Sequence, residues 1–253
     1  MIPQLKVAQT AVSKASKYIR SSLYTAQWNN LDQKELAKLL DNLRTSVHKK
    51  LSEYIFTAYP THLFAATDQE QAHVWHWDIL AETNNFMHKI ENLSIVVTCC
   101  YKGTVLLCVI VNPLYEQECL ASKGNGATYN STRMRTSITQ QVEQAIIAAP
   151  YLPELSVLFE QVKDLRRLGS ISLEMMYLAL GRLDGVVYDN KLPHATNLAS
   201  FLLMQESGGF IQQISLPSCP IGDSMLAANP QLFSTLNSYL TAKSQTYAIS
   251  DKN

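Results

Sequence analysis

Two long stretches at the start of the chain carry apolar residues at every third or fourth position. The first runs from Pro3 to Leu23 and the second from Leu31 to Tyr59. Apolar residues at this spacing line one face of an α-helix. The pattern therefore predicts two amphipathic helices. The second ends at Tyr59-Pro60, because the residue before a proline is disfavoured in helical conformation.

From Leu63 the pattern changes to short apolar runs that are typical of β-strands. The predicted strands are Leu63–Ala66, Val74–Leu80, Leu93–Tyr101, Thr104–Asn112, Glu118–Ser122 and Ala127–Asn130. Lys102-Gly103 and the glycine-containing Lys123–Gly126 supply tight turns between consecutive strands. Consecutive strands joined in this way favour an antiparallel sheet.

In the second half of the chain, predicted strands alternate with predicted helices. The strands are Gln144–Ala149, Gly185–Tyr188, Phe210–Ile214 and Met225–Ala228. The helices are Leu155–Asp164, Ile171–Leu180, Thr196–Gln205 and Gln231–Lys243. Arg166–Ser170 is predicted to be a polar loop, and Ser170 or Ser172 a helix N-cap. Helices in front of and between strand regions favour an α/β layered fold.

No internal repeat, low-complexity tract or linker divides the chain. We therefore expect one continuous unit with an N-terminal α+β half, residues 1–140, and a C-terminal α/β half, residues 141–246. Residues 247–253 are expected to form a frayed tail.

Composition narrows the possible classes of protein. Hydrophobic residues make up 47% of the chain and charged residues 17%, which favours a globular core over disorder. With 21 basic and 21 acidic residues, the net charge gives no sign of nucleic-acid or anionic-membrane binding. A neutral total is still compatible with a local patch of basic residues. The first residues contain no apolar stretch of the kind found in signal peptides, so we expect none there, and no apolar run is long enough to cross a bilayer. We expect a cytoplasmic protein.

The five cysteines form no Cys-x-x-Cys pair. An odd count without regular spacing is typical of reduced, packed thiols. Cys99 and Cys100 are adjacent in a predicted strand, so their side chains should point to opposite faces.

A series of short motifs follows in a characteristic order. They are Asp78–Phe86, Gly124–Ala127, Arg167–Ser170, Gly181–Gly185, Glu206–Gly209 and Ala228–Pro230. Each motif alone is weak, but the ordered set resembles the inositol monophosphatase family over nearly the whole chain. The opening residues are closest to the bacterial members, one of which is also a transcription antitermination factor. The resemblance implies a layered α-β-α-β-α sandwich and a homodimer. It places a mixed, largely antiparallel first sheet before a second sheet in the C-terminal half.

Enzymes of this family hydrolyse phosphate monoesters with Mg²⁺, which requires several hard oxygen ligands. The resemblance assigns Asp78 to the first aspartate of the family's metal loop and Ala81 to the second. Glu82 occupies the place of a glycine, which puts a side chain where the loop backbone would meet the phosphate. Thr83 matches the threonine that orients the attacking water. Near Asn84, a helix N-terminus could bind a phosphate through its N–H groups.

The remaining ligand positions also lack clear matches. The family's Glu-Glu pair falls on Ala66-Thr67, with Asp68 just beyond. The Trp-Asp pair at the start of a later helix falls on His194-Ala195 or Ala195-Thr196, and neither register contains a carboxylate. The acid that contacts substrate corresponds to Tyr188 or Asp189.

Three interpretations follow from this pattern. The favoured one is a catalytically inactive relative that acts as a binding or regulatory protein and needs no metal. The rival is a Mg²⁺-dependent phosphatase whose rearranged site uses Asp78 with Glu82, Asp68 or Asp189. The third, by analogy with the antitermination factor, is a scaffold for transcription proteins.

Two further groups of residues invite a functional interpretation. His73 and His76 have the spacing of a metal pair, but residues three apart on a strand point to opposite faces, which favours packing. Arg166-Arg167 could bind a partner or a phosphate, and a salt bridge at a dimer interface is the alternative that we favour.

Overall fold

The computed structural model describes residues 2–65, 72–150, 155–189, 191–214 and 224–242. Several sequence predictions lie outside these ranges: the Ala66–Asp68 match to the Glu-Glu pair, the tail at 247–253, and Cys219.

The helices follow the predicted pattern with small shifts at their ends. They are α1 (Pro3–Thr25), α2 (Gln33–Ala58), α3 (Thr83–Met87), α4 (Ser156–Gln161), α5 (Ile171–Ala179), α6 (His194–Ser207) and α7 (Phe233–Ala242). Short 3₁₀ turns occur at Trp28–Asn30 and Val142–Gln144. The apolar pattern did not show the single-turn helix α3, because five residues are too few to show a helical period, whereas a helix N-terminus was expected near Asn84, where α3 begins. None of the helices in the described ranges is long and apolar enough to span a membrane.

The first sheet has its strands in sequence order. They are β1 (Leu63–Phe64), β2 (His73–Ile79), β3 (Ile95–Tyr101), β4 (Thr104–Asn112), β5 (Gln117–Ser122), β6 (Gly126–Tyr129) and β7 (Thr132–Arg133). From β2 onward every neighbouring pair is antiparallel, as predicted, whereas the two-residue β1 is parallel to β2. Lys102 and Gly103 both adopt positive φ, as the tight turn between β3 and β4 requires.

The second sheet comes from the C-terminal half. Its strands are β8 (Ile146–Ala148), β9 (Asp164–Arg166), β10 (Gly185–Asp189), β11 (Phe210–Ile214) and β12 (Ser224–Ala228), in the order β11-β12-β10-β8-β9. The prediction for the segment around Asp164 was wrong. Helix α4 ends at Gln161, and Asp164–Arg166 forms an edge strand parallel to β8 instead of a helix end and a loop. Three residues carry too little periodicity to reveal such a strand.

The helices form three layers around the two sheets. α1 and α2 pack on one face of the first sheet, α5 and α6 lie between the sheets, and α4 and α7 cover the outer face of the second. Each interface buries its own cluster of apolar side chains. The predicted α-β-α-β-α sandwich is therefore confirmed.

Two of the sequence motifs meet across the fold. The carboxylate of Glu206, near the end of α6, accepts hydrogen bonds from the backbone N–H groups of Gly124 and Gly126 at 2.7 and 2.6 Å. Asp184 is also buried and accepts from the Ser137 hydroxyl at 2.6 Å and from the N–H of Ile146 at 2.8 Å. A buried carboxylate is stable only when hydrogen-bond donors surround it. These two motif carboxylates therefore fix the turns that supply their donors.

The described cysteines are free thiols, as predicted. Cys99, Cys108 and Cys119 are fully buried, and burial raises the pKa of each thiol, which keeps it protonated. Cys100, on the opposite face, is only half-buried. These thiols act as small apolar core residues.

Candidate functional site

The candidate site lies where β2 ends and α3 begins. This segment, Asp78 to Thr83, is called the Asp78 loop below. Leu80 in its middle adopts positive φ, and its N–H is bonded to the carbonyl of Ser94. The loop therefore turns sharply out of the sheet and faces the N-terminus of α6.

Asp78 is bonded to the start of α6. Its Oδ2 accepts hydrogen bonds from the backbone N–H of Thr196 at 2.6 Å and from the Thr196 hydroxyl at 2.7 Å. The residue before the helix, Pro193, has no side chain able to cap it. Asp78 supplies that cap from another element, where a negative charge is favoured by the helix dipole. Burial raises the pKa of Asp78, and the Thr196 hydrogen bonds counteract part of that rise.

The same contact favours one of the two registers that the sequence left open. Thr196 faces Asp78, so the Ala195-Thr196 register brings the family's helix position next to the loop. The helix began two residues earlier than predicted, at His194. A hydroxyl thus stands where the resemblance would place a second carboxylate.

Glu82 does not point into the loop, which corrects the expectation that its side chain would occupy the phosphate position. The carboxylate turns inward and is buried. Its Oε1 accepts from the hydroxyls of Ser94 and Ser170 at 2.6 and 2.5 Å, and its Oε2 accepts from the N–H of Ser94 at 3.0 Å. Ser172 donates to Ser94 at 2.7 Å and completes the group.

This arrangement confirms Ser170 as the N-cap residue of α5 but corrects the expectation that its side chain caps the helix. Ser170 occupies the N-cap position of α5, but its side chain makes no cap hydrogen bond there and donates to Glu82 instead. A buried carboxylate is a stronger acceptor than the neutral alternatives nearby, so it attracts the hydroxyl.

Arg44 of α2 holds the loop from the other side. Its Nε donates to the carbonyl of Ile79 at 3.2 Å, and its Nη2 donates to the carbonyl of Leu80 at 2.5 Å. Nη2 also lies 2.8 Å from the hydroxyl oxygen of Thr83, to which it donates. Thr83, which the resemblance assigns to orienting water, therefore accepts from a guanidinium. Sequence reasoning missed Arg44, since only its position in helix α2 was visible.

The Arg167–Ser170 motif packs against the base of α3. Asn85 donates to the carbonyl of Leu168 at 3.0 Å, and Gly169 approaches so closely that a Cβ there would lie 2.7 Å from the Asn85 Oδ1. Glu174 of α5 is buried and accepts from the N–H of Leu168 at 2.7 Å. Burial raises the pKa of Glu174 to about 7, an effect that the neighbouring backbone N–H groups and Arg167 oppose.

The histidines on β2 face opposite sides, as predicted. His73 stacks between His62 and Tyr101, with ring centroids 4.5 and 4.6 Å apart. His76 lies on the α6 side and contacts His194 edge-on at 4.5 Å. Burial, reinforced by the charge of His194, lowers the pKa of His76 to about 4, so His76 is neutral at physiological pH.

The remaining predicted site residues differ in burial and in their partners. Tyr188 is fully buried, which leaves no surface for a substrate. Asp189 at the end of β10 is 3.8 Å from the ammonium of Lys191. Asn84 is exposed on the single-turn α3. Arg166 pairs with Asp164 of its own strand at 2.6 Å, so this salt bridge lies within the chain.

The family's cation is Mg²⁺, which binds carboxylate oxygens in near-octahedral geometry. Within the described ranges, no group of three or more His, Cys, Asp or Glu side chains is placed to hold a metal ion. At the loop itself, Asp78 caps a helix, Glu82 faces serines, and Arg44 adds a fixed positive charge. Among the described residues, the donors at this loop do not form the set of carboxylates that Mg²⁺ requires.

The five-layer sandwich, with a carboxylate loop facing a helix N-terminus, is the architecture that the resemblance to the inositol monophosphatase family implied. A sequence model described as the inositol monophosphatase family matches residues 3–245. The chain belongs to the inositol monophosphatase family.

Individual relatives are distant but extend over most of the chain. The Nus factor SuhB of Pseudomonas aeruginosa is 26% identical over 236 residues, which cover 85% of this chain and 87% of that protein. The inositol-1-monophosphatase of Rhizobium meliloti is 29% identical over 223 residues, covering 81% and 84%. The crystal structure of the extragenic suppressor protein SuhB from Bartonella henselae superposes with a TM-score of 0.78 at 25% identity, covering 95% and 99%.

Arg44 is expected to keep the Asp78 loop closed. Arg44→Met should destabilise the protein by about 1–2 kcal/mol, because carbonyls at the loop lose a charged donor. Backbone amides of residues 79–87 should exchange faster in hydrogen–deuterium exchange. The matched control is Lys38→Met, an exposed position on the same helix. Equal exchange of this segment in wild type and Arg44→Met would show that the guanidinium does not hold it.

Glu174 should make stability depend on pH. Its folded pKa of about 7 lies above the ordinary value of 4.5, so its stabilising contribution is complete below about pH 4.5 and is lost as the pH rises through 7. As the pH rises from 5 to 8, the free energy of unfolding of Glu174→Gln should therefore increase relative to that of the wild type, by at most about 3 kcal/mol. Urea unfolding at both pH values measures this. A difference between the two proteins that stays constant with pH would contradict it.

Proposed function

We propose that this chain is a catalytically inactive member of the inositol monophosphatase family that works as a binding or regulatory protein. It would act in the cytoplasm as a homodimer and would need no metal. The observation that carries the proposal is the use of the remaining carboxylates. The Oδ2 of Asp78 caps α6, and Glu82 is enclosed by serine hydroxyls, so one carboxylate already serves as a cap and the other is turned away from the loop.

Electrostatics supports the same conclusion. In a working enzyme of this kind, carboxylates concentrate divalent cations and the cations neutralise the phosphate. Here the loop carbonyls of Ile79 and Leu80 face the guanidinium of Arg44. A guanidinium keeps its charge at all physiological pH values and repels a second cation beside it. The loop is thus stabilised by the positive charge of the Arg44 side chain.

The purified chain should show no Mg²⁺-dependent turnover of inositol monophosphate or of a generic phosphate ester. Isothermal titration with Mg²⁺ should give no binding heat, since the ligand set is incomplete. Asp78→Asn is the control that separates residual activity from a contaminating phosphatase. Turnover in the wild type that this substitution abolishes would refute the proposal.

The rival function is a Mg²⁺-dependent phosphatase with a rearranged site. It would need Asp78 together with Glu82, Asp68 or Asp189. Glu82 is directed away from the loop, and Asp189 lies against Lys191, which disfavours both as ligands. Asp68 lies outside the described residues. Calorimetry that detects Mg²⁺ bound at Asp78, and lost in Asp78→Asn, would support this rival.

A third candidate is an antitermination-type scaffold. It is favoured by the similarity to proteins named Nus factor SuhB in several bacteria, including Salmonella typhimurium and Escherichia coli. Under this hypothesis the partner is a component of the transcription machinery. Co-purification of the tagged chain with RNA polymerase or transcription factors from its own cells should then be observed and should not require Mg²⁺. Their absence from a crosslinked pull-down would count against it.

A further inference from the structure

The outer surface of the α1–α2 layer contains a groove that is separate from the Asp78 loop. It has a volume of about 550 Å³ and lies between the two helices. Val7 and Ala11 of α1 and Tyr54 and Ala58 of α2 form its apolar floor, and Lys14 and Lys50 stand beside it. Val7 and Tyr54 are only half-buried, so the floor remains accessible to solvent.

The lysines are held over the groove by aromatic rings of the opposite helix. The ammonium of Lys14 lies 4.2 Å from the ring centre of Tyr54, and that of Lys50 lies 4.6 Å from the ring centre of Tyr18. Such cation–π contacts restrain a long side chain while its charge stays exposed. The two positive charges are therefore ordered beside the apolar floor before any partner binds.

Charge is distributed unevenly along the chain, although the total is neutral. Residues 1–65 contain nine Lys and Arg against four Asp and Glu, so the remainder of the chain carries the opposite excess. Within α1 there are four basic residues and no acidic one. The acidic residue beside the groove, Glu53, is 3.8 Å from Lys49. The groove thus presents a local positive surface that the net charge conceals.

We propose that this groove binds an acidic amphipathic helix of a partner protein. An apolar stripe at i, i+3, i+4 and i+7 on that helix would occupy the floor, and flanking Asp or Glu side chains would meet Lys14 and Lys50. A nucleic acid fits less well, because its backbone offers phosphates and no apolar stripe for the floor. The groove is independent of the Asp78 loop, so the inference holds whether or not that loop is catalytic.

The test uses the full chain and a fluorescein-labelled synthetic helix of about 18 residues with a leucine stripe flanked by glutamates. We expect saturable binding by fluorescence anisotropy, with a Kd on the order of tens of micromolar. Two comparison probes are a scrambled peptide of the same composition and a peptide with lysine in place of glutamate. Both should bind at least about tenfold more weakly, since each lacks one of the two complementary features.

Variants then locate the binding surface. Lys14→Glu/Lys50→Glu should weaken binding by about tenfold or more, and the milder Lys14→Gln/Lys50→Gln by less, because the rim charge is removed but not reversed. Ala58→Trp should also weaken binding by filling the groove without changing charge. The control Lys34→Glu/Lys38→Glu makes the same charge change at exposed positions of α2 outside the groove. It should leave Kd within about twofold, and circular dichroism should confirm that all variants are folded.

Three results would overturn the inference. One is an equal loss of binding in the groove variants and in the Lys34→Glu/Lys38→Glu control. Another is tighter binding of a short RNA duplex than of the acidic helix, with the same groove variants abolishing it. The third is light scattering that shows self-association of the wild type through Lys14 and Lys50, with no displacement by the peptide.

Discussion

The hydrogen bonds from Thr196 to Asp78 join the end of β2 to the start of α6, and much of the fold depends on the position of that helix. α6 lies between the two sheets and contacts strands of both. Its first turn would present N–H groups without partners, because Pro193 cannot cap it. A carboxylate from a distant strand supplies the acceptor and fixes where the helix begins. Asp78, which the sequence resemblance assigns to the family's metal loop, thereby serves as a structural cap.

A common constraint explains the surroundings of this contact. A buried carboxylate is costly unless donors surround it. Glu82 meets that requirement with serine hydroxyls, Glu174 and Glu206 meet it with backbone N–H groups of loops, and Asp184 uses both kinds of donor. Each carboxylate therefore anchors a turn next to a sheet. At the Asp78 loop, the guanidinium of Arg44 donates to the carbonyls of Ile79 and Leu80 and to the Thr83 hydroxyl.

These observations separate the fold from the chemistry of the family. The sandwich requires the packing of three helical layers on two sheets, and buried acidic residues hold its turns. Phosphate chemistry would require carboxylates that are free to bind cations. Asp78 contributes to the first requirement by capping α6. Under the function proposed above, the surface that serves binding is the exterior. The basic groove between α1 and α2 is such a surface.

The sequence by itself determined the elements and their order. Periodicity placed α1, α2 and the antiparallel strands, because a buried face repeats every 3.6 or 2 residues and is visible locally. The ordered motifs pointed to the family and to the positions of Asp78 and Thr83. Local patterns were too short to show α3 and β9.

Only the tertiary structure decided what the site residues do. It directed Glu82 toward Ser170, brought Arg44 to the carbonyl of Leu80, and placed Thr196 against Asp78. These partners are 88, 36 and 118 residues apart in the chain. No local period links residues at such separations. Packing of the layers decides which hydrogen-bond donors come within reach of which acceptors. A charged side chain then adopts the conformation in which it has hydrogen-bond partners.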